Sequence, residues 1–322
     1  MIQNQVVFAE KIICKLFLRK KQHRFWVGVN KEKANLFGTK DGTQGCQEVR
    51  WDGIIYDKDI GKSNLTRSAA MKEFADHTNR FDGKGEVYAK GRPRYADGLF
   101  VYMRDMLHIT TGSVLADIGS GTGIFTQQLL DCGCKVFAVE PNRDMRKKAE
   151  ETLSHNKNFI SVDGSASHMG LPDHSADLIT AAQAFHWFEP ETFRRECRRV
   201  LKPGGKVVIV YNSRHESAAC TKALADLQRR YNSGFRGFSN GMNDETCQAF
   251  FAEPCQIYRA DNTQHYDRQG YIDRVLSSSH SPKEEDAEYE EYLKEVCKIF
   301  DTFSEEGRLA VPADTVAYIG TV

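Results

Sequence analysis

The chain has 322 residues, 40% apolar and 27% charged, and its 44 Lys and Arg balance 44 Asp and Glu. Such a composition builds a buried core without staples, and a neutral chain carries no overall field that gathers nucleic acid or an anionic membrane. No apolar run reaches the ~20 residues that cross a bilayer.

Met1 to Gln22 mixes Lys11, Lys15, Arg19, Lys20 and Lys21 into its apolar residues and has no signal-peptide core, so the expected setting is cytoplasmic, with no membrane partner. Nine cysteines include no Cys-x-x-Cys, and Cys132 with Cys134 lacks the spacing of a zinc pair. They read as reduced thiols, and no metal is expected.

Residues 1–70 carry six more basic than acidic side chains and show no regular periodicity, so they read as a poorly structured N-terminal extension. Gly61-Lys62-Ser63 looks like the end of a phosphate loop, but the glycine required five positions earlier is Tyr56, which excludes that reading. From about Met71 strand-like and helix-like segments alternate, the pattern of an α/β parallel sheet covered by helices.

In chain order the expectations are a helix over Tyr95–His108, a strand Val114–Ile118, a glycine turn, a helix Ile124–Cys132 and a strand Lys135–Glu140. A helix Arg143–Ser154, a strand Phe159–Val162, a strand Ala176–Ala182 and a helix Glu191–Leu201 follow. Lys202-Pro203-Gly204-Gly205 reads as a breaker that launches a strand Val207–Tyr211. Beyond Asn212 the pattern predicts one strand near Gln256–Tyr266, helices near Gln269–Leu276 and Glu284–Phe303, and a last strand within Arg308–Ile319. Pro312 marks that last strand as bent or at an edge. The helix near 300 places Tyr292, Val296, Ile299, Phe300 and Phe303 on one face, and its many glutamates read as a solvated face.

The chemistry concentrates at Val114-Leu-Ala-Asp117-Ile-Gly119-Ser-Gly121-Thr-Gly123, a strand ending in glycines that open a helix. Glycines there allow a sharp turn and close approach to a ligand, and the helix start offers unpaired N–H groups. Glu140 follows about 20 residues after the first glycine, where a nucleotide-binding fold puts a carboxylate on ribose hydroxyls. Nicotinamide and flavin proteins use Gly-x-Gly-x-x-Gly against a pyrophosphate. The Gly-x-Gly-x-Gly here, with Asp117 just ahead, suits instead a cofactor that has an amino group and no phosphates.

These residues, together with Glu140-Pro141, Gly164-Ser-Ala166, Leu171 to Asp177, Gln183 to Phe188 and Arg199 to Gly205, resemble the ordered motifs of class I S-adenosylmethionine-dependent methyltransferases. The similarity is to the small-molecule branch that includes trans-aconitate and ubiquinone/menaquinone biosynthetic methyltransferases, over roughly Met71 to Val322. It implies a Rossmann-like seven-stranded, mostly parallel sheet with helices on both faces and a C-terminal helical lid over residues 213–303. The cofactor implied is S-adenosyl-L-methionine, bound by Asp117, Gly119, Gly121, Gly123, Glu140, Met145, Ser165, Ala166, Gln183 and Ala184. Ser165 stands where the family usually has Asp.

His186 and Trp187 follow the fourth strand and are the candidates beside the reactive methyl, His186 either as a base or as a positioning group. Tyr88 and Arg92 resemble the family's N-terminal Tyr and Arg-Pro segment, facing the methionine tail or substrate, or else opening a helix. The implied partner is a small-molecule methyl acceptor met by a monomer or homodimer, with no nucleic acid, since Ala184 to Trp187 lacks the Pro-Pro-aromatic motif of nucleic-acid amino methyltransferases. Two alternatives remain: a non-catalytic S-adenosylmethionine-binding protein and an NAD(P)-dependent oxidoreductase.

Overall fold

The computed structural model describes residues 50–51, 54–55, 92–238, 242–278 and 281–322. The chain divides into two compact units, Met1–Thr66 and Arg67–Val322. In the first, Arg50–Trp51 pairs antiparallel with Ile54–Ile55; the remainder of the expected 1–70 extension lies outside the described residues.

In the second unit the first strands come from short apolar runs; the two central ones, Val114–Ile118 and Ala176–Ala182, bury both faces, as a parallel sheet requires, while the edge strand Phe159–Val162 is half-buried throughout. They are β1 Val114–Ile118, β2 Lys135–Val139, β3 Phe159–Val162 and β4 Ala176–Ala182. Helix α1 Asp97–Met106 precedes β1, and α2 Ile124–Asp131 and α3 Arg143–Leu153 follow β1 and β2. Asn142 caps α3 by accepting from the Met145 N–H. Helix α4 Pro190–Val200 starts on Pro190, with the Glu189 carboxylate accepting from the Glu191 and Thr192 amides.

Strand β5 Leu201–Arg214 follows directly. The Lys202-Pro-Gly-Gly205 segment, expected as a turn ahead of the strand, lies within it as an irregularity. Leu201 pairs with Ala176 and Lys206 with Leu178, so four residues bulge opposite Asp177. Gly204 takes φ +82 there, and Lys202 Nζ lies 2.7 Å from the Asp177 carboxylate.

Helix α5 Ala219–Tyr231, the short α6 Asp244–Gln248, β6 Gln256–Asp261, β7 Gln264–Tyr266, α7 Arg268–Leu276, α8 Tyr289–Phe303, β8 Leu309–Val311 and β9 Ala313–Gly320 complete the unit. The single strand expected over 256–266 is two, because Gln264–Tyr266 leaves the main sheet to pair with Leu309–Val311. Pro312 likewise divides the last segment in two. The longer half, β9, lies inside the sheet between β5 and β6 rather than at an edge, since proline sits at the break and no ladder bond needs its nitrogen. Helix α8 starts at Tyr289 rather than Glu284, leaving Glu290 and Glu291 in its first turn, where the helix dipole favours acids.

The seven strands run in the order β3-β2-β1-β4-β5-β9-β6, with β9 antiparallel to both neighbours. Alternate residues feed two cores. Leu115, Val136, Leu178, Val208 and Val210 pack with α1 and α2 through Leu99, Met103, Phe125 and Leu129. Ile118, Val139, Ile179, Val207 and Ile209 pack with α4 through Phe193, Cys197 and Val200. A third core joins α5, α7 and α8 through Leu224, Leu227, Tyr271, Val275, Tyr292, Val296 and Phe300, as the one-face reading of the last helix expects. Among the described residues no helix is long and apolar enough to cross a membrane.

Candidate active site

Parallel α/β sheets bind ligands beyond the carboxyl ends of their strands, where the strand order reverses. That point falls between β1 and β4. The segments leaving these strands are Gly119–Gly123 and Gln183–Trp187, and a pocket opens between them. Its walls include Asp117, Gly119, Ser120, Gly121, Thr122, Gln183, Asn212, Arg92, Tyr95 and Arg274.

The loop's glycines differ in what they do. Gly119 has φ +68, and a Cβ on it would meet Ala184 Cβ at 2.8 Å and Phe188 Cζ at 3.2 Å. Gly121 has φ +57 and open space where its Cβ would be, so its bare backbone faces the pocket. The same loop holds two buried hydroxyl oxygens without a hydrogen-bond partner, Ser120 Oγ and Thr122 Oγ1. Gly123 has φ +84 as the N-cap of α2 and packs on Leu153 and Ala149; it braces the loop from behind rather than lining the pocket.

Asp117 is 1% exposed. Its carboxylate accepts from Thr126 Oγ1 at 2.7 Å and Thr180 Oγ1 at 2.8 Å. Burial nevertheless outweighs these bonds and raises its pKa to about 6. Glu140 bridges the loop to β2: it accepts from the Gly121 N–H at 2.9 Å and the Asn142 N–H at 2.8 Å. Burial also raises its pKa, against the pull of those two amides. Met145 is buried on α3 beneath this corner. Ser165 and Ala166 follow β3, with Ser165 exchanging backbone hydrogen bonds with His168 at 2.9 and 3.1 Å.

Gln183 carries φ +53, an uncommon conformation for a side-chain-bearing residue and one that functional sites tend to hold. Its N–H bonds the Val210 carbonyl at 2.8 Å and its Nε2 the Asn212 carbonyl at 3.1 Å. His186 and Trp187 lie in a 3-10 turn, Phe185–Trp187, with their rings 4.6 Å apart. The His186 N–H donates to the Tyr211 hydroxyl at 3.1 Å, and its ring Nδ1 lies 3.3 Å from the same oxygen. Burial pushes the Tyr211 hydroxyl above its ordinary range, so it remains a neutral anchor.

The structure thus gathers Asp117, Gly119, Gly121, Gln183 and Arg92 in the lining of one pocket, with Glu140 and Ala184 directly behind the loop. Met145, Ser165, Ala166, His186 and Trp187 flank it without lining it. Tyr88 lies outside the described residues. Sequence reading missed Thr126 and Thr180 around Asp117, Ser120, Thr122 and Tyr95 in the walls, and Arg274 from α7. It also missed Gln128, Asn212, Asn262 and Thr315, which fasten the Arg92–Ala96 segment. The threonines and Ser120 sat in quoted or neighbouring motifs; Arg274 had no sequence signal. Among the described residues no cluster of His, Cys, Asp and Glu is fit to hold a metal.

A family profile described as a methyltransferase domain matches residues 116–209, the span from β1 through most of β5. The chain is 27% identical over 242 residues to an uncharacterized methyltransferase of Mycobacterium bovis, covering 73% of this chain and 93% of that one. It is 34% identical over 148 residues to an uncharacterized methyltransferase-like protein of Schizosaccharomyces pombe, a match covering 45% of this chain and only 56% of that relative. A solved structure from Anaeromyxobacter dehalogenans, provisionally described as a type II methyltransferase, superposes with a TM-score of 0.52 at 21% identity, over 71% of this chain and 97% of that one. That likeness speaks for the fold.

The sheet order and the glycine loop at its switch point are those of a Rossmann-like methyltransferase. The methyltransferase-domain match over residues 116–209 and the relatives named as methyltransferases support a class I S-adenosylmethionine-dependent methyltransferase. The residues present fit that cofactor: Gly121 leaves open the space a Cβ would take, and Ser120 and Thr122 bring unpartnered hydroxyls to the same loop.

Proposed function

We propose that this protein transfers a methyl group from S-adenosylmethionine to a small-molecule acceptor bound in the pocket between Gly119–Gly123 and Arg274. The observation that carries this reading is the pocket's composition: the glycine loop lines it together with Gln183, Asn212 and Arg92, and Arg274 of α7 joins the lining from the helical insert. When bound, S-adenosylmethionine supplies an electrophilic methyl on a sulfonium whose carbon–sulfur electron pair returns to sulfur as the acceptor's lone pair takes the methyl. The protein has to align the acceptor and exclude water, for which no catalytic triad is required.

Each residue then has a stated task. Gly119 and Gly121 let the backbone come close, Asp117 faces the cofactor's amino group, and Glu140 takes the ribose hydroxyls while bracing the loop. Met145, Ser165 and Ala166, which flank the pocket, take the adenine, Gln183 and Ala184 close the cleft after β4, and Gly123 holds the loop's curvature. His186, tied to Tyr211 at backbone and ring, acts as a positioning group with Trp187 beside it. Residues 213–303 serve as the lid that sets specificity, and residues 1–70 as a dispensable extension. We place the protein in the cytoplasm, as a monomer or homodimer.

Radiolabelled methyl transfer into a metabolite extract tests the proposal. Gly121→Arg, which fills the open space at the loop, is expected to abolish labelling while the variant stays folded; undiminished labelling would sink this site.

A further inference from the structure

The 3-10 turn after β4 is tied to one side chain of the neighbouring strand. Tyr211 stands on β5, in register with Val316 of β9, and is 5% exposed in the core that also holds Phe185, Cys247 and Phe250. From there its hydroxyl meets His186 twice: it accepts from the backbone N–H at 3.1 Å and lies 3.3 Å from ring Nδ1.

The protons available at this contact decide which tautomer the imidazole adopts. A phenol has one proton to give and lone pairs to receive. The His186 backbone N–H is a donor only, so the oxygen accepts there. Among the described residues Nδ1 of the same histidine is the one other hydrogen-bond partner of this oxygen. If Nδ1 carried a proton, two donors would converge on the oxygen and the hydroxyl's own proton would be buried without an acceptor, which folded proteins avoid. With Nδ1 bare, every group is matched: the backbone N–H donates to the phenol oxygen, and the phenol O–H donates to Nδ1. Burial pushes the Tyr211 phenol above its ordinary range, so that proton stays in place to be donated. The neutral ring then carries its own proton on Nε2. That holds for any partner of Nε2, since the proton is placed from the Nδ1 side.

We propose that Tyr211 is a positioning residue that holds His186 as the Nε2–H tautomer, so that His186 serves methyl transfer as a hydrogen-bond donor and not as the base that takes the acceptor's proton. A proton displaced from the acceptor then passes to water. The role in transfer rests on the methyltransferase reading given above; the tautomer does not.

Two-bond proton–nitrogen correlation spectra of the full chain with 15N-labelled histidine, recorded at about pH 8.5, above the ordinary histidine range, read the tautomer, and loss of a signal in His186→Gln assigns it. Wild type is expected to show Nε2 protonated and Nδ1 bare, and Tyr211→Phe a mixture of the two tautomers. In the radiolabelled transfer assay His186→Gln, which keeps an N–H, is expected to recover part of what His186→Ala loses. A general base is worth ~10²–10⁴-fold, and its removal would lower both variants alike.

A protonated Nδ1 in wild type, an unmixed Nε2–H signal in Tyr211→Phe, equal losses in the two His186 variants, or no loss in His186→Ala would each overturn the assignment. The wild-type spectrum decides the tautomer even where Tyr211→Phe does not fold. A wild-type chain that fails to bind S-adenosylhomocysteine instead removes the methyltransferase reading, and His186's part in transfer with it, while the spectra still decide the tautomer.

Discussion

Asp117→Asn separates what the pocket needs from what the fold prefers. The wild-type carboxyl rises from 3.8 to about 6 because burial penalises the anion more than the Thr126 and Thr180 hydroxyls favour it. At ~1.4 kcal/mol per pH unit, a rise of that size makes ionised Asp117 cost the fold ~3 kcal/mol. The sign follows from the direction of the shift. The folded chain holds this proton more tightly than the unfolded one, so the group's stabilisation is fully present below the unfolded value and is lost as pH rises through about 6. The asparagine of the variant would be neutral throughout, and the threonine hydroxyls can rotate to meet its amide.

Cofactor-free Asp117→Asn should therefore be more stable than wild type at pH 8, by up to ~3 kcal/mol, and by about half as much at pH 5. Urea unfolding of both chains at the two pH values measures this, and calorimetry with S-adenosylhomocysteine should show affinity weakened by ~1.5 to 3 kcal/mol through loss of a charge-assisted bond. A variant less stable than wild type at pH 8, or a stability difference unchanged between the two pH values, would refute the argument. It would show that the carboxylate is held as a favourable anion.

The loop glycines should part company on substitution. Gly119→Ala should cost ~1–3 kcal/mol in thermal denaturation, because its Cβ meets Ala184 and Phe188 inside the protein. Gly121→Ala should cost about 1 kcal/mol, from its left-handed backbone alone, yet lose about tenfold or more in S-adenosylhomocysteine affinity; wild-type affinity there would deny close approach of ligand to backbone. Glu140→Ala should weaken that affinity by ~1.5 to 3 kcal/mol and also lower stability, since the Gly121 and Asn142 amides lose their acceptor. A change in neither quantity would remove Glu140 from the site. Gln128→Leu removes the two hydrogen bonds that the Gln128 side chain makes to the buried Tyr95 main chain and should cost ~1–3 kcal/mol. Its S-adenosylhomocysteine affinity should fall with it, because Arg92 loses its fixed backbone; unchanged affinity in a folded variant would show that Arg92 is positioned independently of this clamp.

The strands Val114–Ile118, Phe159–Val162 and Ala176–Ala182 are legible in the sequence to the residue, and the helices between them to within one or two. Each is written in a contiguous run of side chains whose period or burial declares it. The glycine loop and Glu140 are legible too, as neighbours at strand ends, because in a parallel sheet each strand's carboxyl end comes to the same edge. What the sequence leaves open depends on partners far along the chain. The Lys202–Gly205 bulge is set by where Asp177 pairs across the sheet, and Pro312 divides a strand whose second half is then inserted between β5 and β6. Thr180 reaches Asp117 over 63 positions, and Thr315 reaches Ala96 over 219. Arg274 enters the pocket only because Tyr271 and Val275 bury α7 against α5 and α8. Local pattern dictates which face of a segment seeks the core; which polar groups from distant segments meet at the edge of the sheet is settled by packing alone.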